Sequence, residues 1–397
     1  MMPVGSSQVN QSNSKDISGE LLSALPHEIK AKVLEVDKEI ELLLCCARTH
    51  IDTVIAERIE NLLQEDINWG YLMRTASQQG IMPLLYSSLN NTCPEAVPQD
   101  TFSQLQRAYH TNALHNVLLT KELLKLLNLF KTQEIPAIPF KGPVLAASAY
   151  GSLSLREFGD LDILVHKQDV PKVKDLLISQ SYEWQPWRSQ STHPQSSTYL
   201  QSQYRYDIYF IKWHSKNYRS CIEIHWETTP KHIMFPLNPA QLWQNLEQVS
   251  LCGTKVLNLP PEHLLPILCI DHSKDHWAQL RVICDVAELL RAYKGLDWQR
   301  VIEHANSLRR ERSLFLGLFL AHDLLGTALP EEVWHKMQTD PVAKSLAMQV
   351  RERLFRDSDN QPGVWERFLY NLKLRESMQD KVRYCLFRAT KLFEEQG

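Results

Sequence analysis

The chain has 397 residues, 44% of them apolar and 22% charged, with a formal net charge of −3. That balance fits a globular protein of two or three domains and carries no basic surplus of the kind nucleic-acid binding needs. No apolar run approaches the roughly 20 residues that span a bilayer, Met1–Ser18 lacks the basic start and apolar stretch of a signal peptide, and eight scattered cysteines form no CxxC and no zinc spacing, so a cytoplasmic protein with reduced, mostly buried thiols and no membrane contact is expected.

Residues 1–18 are rich in Ser, Asn and Gln and read as a disordered tail. Helical periodicity follows across 19–131, clearest near Lys30–Cys46, Thr53–Glu65, Trp69–Gln79, Met82–Leu89 and Thr101–Lys131. The pattern changes at Ile135. IPAIPFKG is a short strand ending at Gly142, PVLAASAYG a helix opened by Pro143, LDILV a second strand, and Asp169–Gln180 a helix capped by Asp169. Gln185–Gln203 is polar and aperiodic and reads as a long surface loop. Tyr204–Lys212 and Arg219–Glu227 alternate like strands joined by a turn at KNYRS. From Pro261 the chain is helical again, near Glu262–His272, Leu280–Tyr293, Trp298–Leu308, Leu314–Leu325, Pro341–Leu354 and through Gly363–Glu395. The expected organisation is an α+β protein: a helical region at 19–131, a small α/β core at 132–260 and a helical domain at 261–397.

The chemistry concentrates in GDLDILV. Asp160 and Asp162 alternate with Leu161 and Ile163, so on a strand both carboxylates point the same way. Two like charges at that spacing need a cation between them or a solvated edge. A pair of this kind suits one or two divalent ions such as Mg2+, which prefer carboxylate oxygen and usually also hold substrate phosphates. A third carboxylate on a neighbouring strand would complete the site. In CIEIHW, Cys221, Glu223 and His225 share one face and Ile222, Ile224 and Trp226 the other. The apolar face belongs in the core, which turns Glu223 toward a cleft and makes it the candidate third carboxylate. His225 reads as satisfying a local hydrogen bond. In DHSKDH, His272 and His276 stand four apart as on one helical face, but without the glutamate of a zinc-binding HExxH.

Phe140-Lys141-Gly142, a short helix ending at Tyr150, Arg156, then Asp160-Leu161-Asp162-Ile163-Leu164-Val165, and later Glu223-Ile224-His225-Trp226, together resemble the uncharacterised nucleotidyltransferase family of the DNA polymerase beta-like nucleotidyltransferase superfamily. The resemblance runs from about Gly80 to Leu290, with His272, His276 and Asp285 as looser matches. It implies a small mixed β-sheet nucleotidyltransferase core flanked by N-terminal and C-terminal helical regions. It also implies Mg2+-dependent transfer of an NMP from an NTP to an acceptor hydroxyl on a small molecule, sugar, peptide or protein, with release of pyrophosphate. Asp160, Asp162 and Glu223 would be catalytic and hold two Mg2+ ions. Lys141 and Gly142, at a turn opening a helix, would contact phosphate, with Arg156 and Lys274 as further nucleotide-binding residues. The superfamily's turn before DxD has a second match at Tyr150-Gly151-Ser152; Lys141-Gly142 is preferred because it ends a strand and opens a helix. Glu stands at the third acidic position, where the family more often has Asp.

Two rival readings use the same residues. A module that keeps the fold but only binds a nucleotide or a protein partner would tolerate loss of a carboxylate, yet all three candidates are present. A DxD glycosyltransferase would need several parallel strands before the motif, where the chain reads as helical.

Overall fold

The computed structural model describes residues 37–185, 207–228, 242–356 and 363–394. The expected N-terminal tail, residues 186–203 of the expected loop and the start of the Tyr204–Lys212 strand lie outside these residues.

Four short helices come first: α1 (Lys38–Cys46), α2 (Thr53–Leu63), α3 (Trp69–Gln78) and α4 (Met82–Thr92). Asp52 and Asn68 cap α2 and α3, accepting from the N–H of Ile55 and Tyr71 at 2.9 and 3.0 Å. The long helix α5 (Gln99–Thr132) follows and buries Leu119, Leu123, Leu126 and Phe130 along one stripe.

The chain then enters the sheet with β1 (Ala137–Pro139), α6 (Gly142–Ser148), β2 (Leu161–Val165), α7 (Val170–Ser179), β3 (Glu183–Trp184), β4 (Asp207–Ser215) and β5 (Tyr218–His225). Strand order is β1-β2-β5-β4-β3. β2 and β5 pair in parallel, and the other pairs are antiparallel. All five residues of β2 are buried, as a near-continuous apolar run in a covered strand requires. A separate hairpin, β6 (Glu247–Leu251) and β7 (Thr254–Asn258), turns at Cys252-Gly253, both with positive φ (49° and 80°), the conformation of a type I′ turn.

The rest is helical: α8 (Pro261–Lys274), α9 (Leu280–Ala292), α10 (Trp298–Ser307), α11 (Glu311–Leu325), α12 (Glu331–Gln338), α13 (Pro341–Leu354), α14 (Val364–Leu374) and α15 (Met378–Glu394). The protein is therefore mixed α+β, with 15 helices, a five-stranded mixed sheet and a two-stranded sheet among the described residues. None of these helices is long and apolar enough to cross a membrane.

Two cores flank the sheet. On one face Leu161, Ile163, Ile222 and Ile224 pack with α5 and α7 through Leu119, Leu123, Val173 and Leu177. On the other, Ile138, Phe140 and Leu164 join a larger cluster that unites α1–α4 with α8–α13. Helices from the two ends of the chain, α1–α4 and α8–α13, thus share one core, pinned by polar links: Thr49 Oγ1 donates to Glu288 at 2.6 Å and Gln79 Nε2 to the Leu354 carbonyl at 2.7 Å.

Several local expectations are corrected. Asp169 precedes α7 but makes no side-chain cap bond, because a 3₁₀ turn at Lys167–Asp169 already leads into the helix. Pro143 is the second residue of α6, not the first. The β4–β5 turn is two residues, Lys216-Asn217, since Ser215 already pairs with Tyr218. The helix-like stretch expected at the C-terminus forms two helices, separated at residues 375–377.

Candidate active site

The register of the parallel pair sets the site. Asp162 of β2 lies beside Glu223 of β5, and Leu164 beside His225, all on the face turned toward α8. Alternation does the rest: Ile222, Ile224 and Trp226 enter the core, while the Glu223 side chain stays 28% exposed. One carboxylate oxygen of Asp162, one of Glu223 and a ring nitrogen of His225 lie within 4.8 Å of one another.

The repulsion between these carboxylates is met by two cations. His225 Nε2 sits 3.0 Å from Asp162 Oδ1 and 3.4 Å from Glu223 Oε2. Burial alone would push this imidazole down; the two carboxylates override it and hold it at about 10, so it is an imidazolium donating to Asp162. Lys141 Nζ lies 4.0 Å from the same Asp162 oxygen. Burial would raise the Asp162 carboxyl, but Lys141 and His225 pull it below its ordinary value and keep it ionised.

Asp160 immediately precedes β2, outside the tight cluster of Asp162, Glu223 and His225. It is near enough for their charges to act on it. Burial, then Asp162 and Glu223, raise its carboxyl to about 6. A group so perturbed marks a buried place where carboxylates crowd together. The donor set fits a hard divalent cation: Asp162 and Glu223 offer oxygen, and Asp160 is the adjacent third carboxylate.

Lys141 and Gly142 form the turn that brings β1 beside the site. Phe140 N donates to the Asp162 carbonyl, extending the β1–β2 ladder to the turn. Gly142 has φ of +44°, and a Cβ there would meet the Asp160 carbonyl at 3.1 Å. Gly151, in the alternative turn, is exposed and has nothing within 4 Å. Of the two candidate turns, Lys141-Gly142 is the one in contact with the acidic pair. Lys141 reaches across to α8, where its Nζ lies 2.6 Å from Asp271 Oδ2. Lys274, one turn further on α8, donates to Asp271 Oδ1 at 2.9 Å. Asp271 is thus a fourth carboxylate at the site, held well below its ordinary value because the two lysines outweigh its burial.

Arg156 is placed elsewhere. It is buried and forks onto Asp285 of α9, Nε at 2.6 Å and Nη2 at 2.8 Å, while Tyr150 Oη donates to the same carboxylate at 2.7 Å. Its guanidinium is engaged inside the protein, not at the cleft surface. Asn116 of α5 donates to the carbonyls of Leu153 and Arg156 at 2.6 and 2.7 Å. These contacts fix the segment that delivers Asp160. His272 and His276 do not share a helical face: α8 ends at Lys274 and His276 lies in the following turn with φ of 58°. His272 is buried 3.6 Å from Asp285, and burial keeps it neutral at about 4.

Sequence reasoning missed Asp271; the hydrogen bond expected of His225 is present, with Asp162 as its partner. Asp271 stands in DHSKDH, where the spaced histidines drew attention; the usable signal was an Asp three residues before a Lys on a helix, a pair that shares one face.

The family model described as an uncharacterised nucleotidyltransferase matches residues 65–326, well over half of the chain. The match takes in the whole five-stranded sheet, α8 and α9. A search of curated proteins finds no match to the chain.

Proposed function

This chain belongs to the uncharacterised nucleotidyltransferase family, and from that premise we propose that it is a Mg2+-dependent enzyme that moves an NMP from an NTP to an acceptor hydroxyl and releases pyrophosphate. The observation that carries the reading is the registration of Asp162 beside Glu223, with Asp160 adjacent, on one sheet face.

In this reading Asp160, Asp162 and Glu223 hold the metal. When bound, Mg2+ supplies charge neutralisation at the α-phosphate and the leaving pyrophosphate. Glu223, the most exposed of the cluster, accepts the proton of the acceptor hydroxyl. The hydroxyl oxygen then attacks the α-phosphorus in line, and the bond to the bridging oxygen of pyrophosphate breaks. His225 holds the Asp162 carboxylate ionised and oriented. Lys141 and Lys274, both on Asp271 at the mouth between the sheet and α8, lie where they can meet the triphosphate. Arg156 acts from behind, through its tie to Asp285, as a support for the loop that carries Asp160. The acceptor is a small molecule, sugar, peptide or protein.

The test is transfer of label from each α-labelled NTP to acceptors in a cell extract, with pyrophosphate measured in parallel. Label and pyrophosphate appear with the parent and vanish with Asp162→Asn and with Glu223→Gln. Transfer that survives either change would remove the residue from the chemistry.

A further inference from the structure

We propose that Asp271 is a positioning residue that draws Lys141 away from Asp162 and so keeps the Asp162 carboxylate available to a divalent cation; this rests on the reading that Asp162 and Glu223 hold Mg2+.

Lys141 has two carboxylates within reach. Its ammonium is 2.6 Å from Asp271 Oδ2 and 4.0 Å from Asp162 Oδ1. The side chain is only 14% exposed, so water does little to weaken either attraction. Asp271 is an anchored competitor. It lies on the rigid helix α8, and its other oxygen is held by Lys274 at 2.9 Å. Without the charge on Asp271 the carboxylate left within ion-pair distance of Lys141 is Asp162. Closing that gap takes a shift of about 1 Å to reach ordinary ion-pair distance, well within the freedom of a four-carbon stem. The ammonium would then join His225 on Asp162 Oδ1, leaving the carboxylate neutralised by two cations, and a metal would have to displace one of them. Asp271 therefore touches neither metal nor nucleotide in this account; it acts through Lys141.

The experiment is calorimetric titration of Mn2+, as the probe for Mg2+, into the full chain and three variants: Asp271→Asn, Lys141→Met and the double variant. Asp271→Asn keeps size and one acceptor oxygen while removing the charge. It should weaken Mn2+ binding by about 10- to 100-fold, the usual range for loss of an outer-shell partner. With the competing ammonium gone, Lys141→Met should raise Mn2+ affinity far more in the Asp271→Asn protein than in the parent, bringing the double variant to within about twofold of Lys141→Met alone. That dependence on background separates diversion from simple charge. Equal gains from Lys141→Met in both backgrounds, or no loss with Asp271→Asn, would overturn the inference while leaving the metal site standing. A folded parent that binds no Mn2+ would overturn the metal reading and this inference with it. Circular dichroism checks each protein first, and Asp271→Ser provides the same comparison if Asp271→Asn does not fold.

Discussion

Asp285→Asn should be among the most damaging single changes in this protein. Asp285 is fully buried and Arg156 is 4% exposed. The carboxylate accepts from Arg156 Nε, Arg156 Nη2 and Tyr150 Oη, at 2.6, 2.8 and 2.7 Å. The remaining guanidinium nitrogen, Nη1, is buried with no hydrogen-bond partner among the described residues, so the cation depends on Asp285. An asparagine removes the charge and turns an N–H toward an N–H donor. Breaking one partner of a buried pair costs about 3–5 kcal/mol, most of it from the charge left behind. Against a total stability of about 5–15 kcal/mol, that brings the protein close to unfolding. Urea denaturation followed by circular dichroism measures it as a lowered midpoint at unchanged slope. The double variant Arg156→Met/Asp285→Leu separates the mechanism from generic core damage. With both charges gone it should cost less than Asp285→Asn alone. A loss under about 1 kcal/mol for Asp285→Asn, the scale of one ordinary hydrogen bond, would refute the dependence of Arg156 on this carboxylate.

Gly142→Ala should lower the melting temperature, since it places a Cβ at φ +44° and 3.1 Å from the Asp160 carbonyl; left-handed backbone alone costs about 1–2 kcal/mol, and an unchanged melting curve would show that the turn relaxes without strain. Acid should destabilise the protein in part through His272, whose folded value is depressed to about 4 by burial. The buried neutral ring contributes stability that is fully present above about 6.5, where the unfolded ring titrates, and is lost as pH falls toward 4. At about 1.4 kcal/mol per pH unit the total is about 3 kcal/mol. His272→Gln should therefore show a shallower loss of stability between pH 6.5 and 4 than the parent. His276 and His304, depressed for the same reason, keep that slope from vanishing. Identical slopes in parent and variant would count against a buried neutral His272.

The part of the site that follows from strand alternation was legible in the sequence. DLDILV sets Asp160 and Asp162 on one face, CIEIHW sets Glu223 and His225 opposite an apolar face, and once both are strands only the register remains to bring Asp162 beside Glu223. The turn at Lys141-Gly142 was legible for a similar reason, a glycine between a strand and a helix. What was not legible depends on contacts across long separations. Nothing local marks Arg156 as the partner of Asp285 or Asp271 as the partner of Lys141, 129 and 130 residues away. An arginine near an acidic pair reads as a phosphate ligand until the fold supplies a buried carboxylate for it. The β6–β7 hairpin was missed because EQVSL and TKVLN have few apolar residues and turn at Cys-Gly instead of Asn-Gly. Helix α12 was missed because only Val333 and Met337 of its eight residues are buried, too few to print a period.

The measurement that tests the central claim most directly is calorimetric titration with each of the four NTPs, with and without Mg2+. It is run on the parent and on the Asp160→Asn/Asp162→Asn variant. Mg2+-dependent binding of an NTP by the parent, lost in the variant while its circular dichroism spectrum is unchanged, is the predicted result. A folded parent that binds no NTP, or binding that survives loss of both aspartates, would contradict the assignment of this acidic cluster as the nucleotide site.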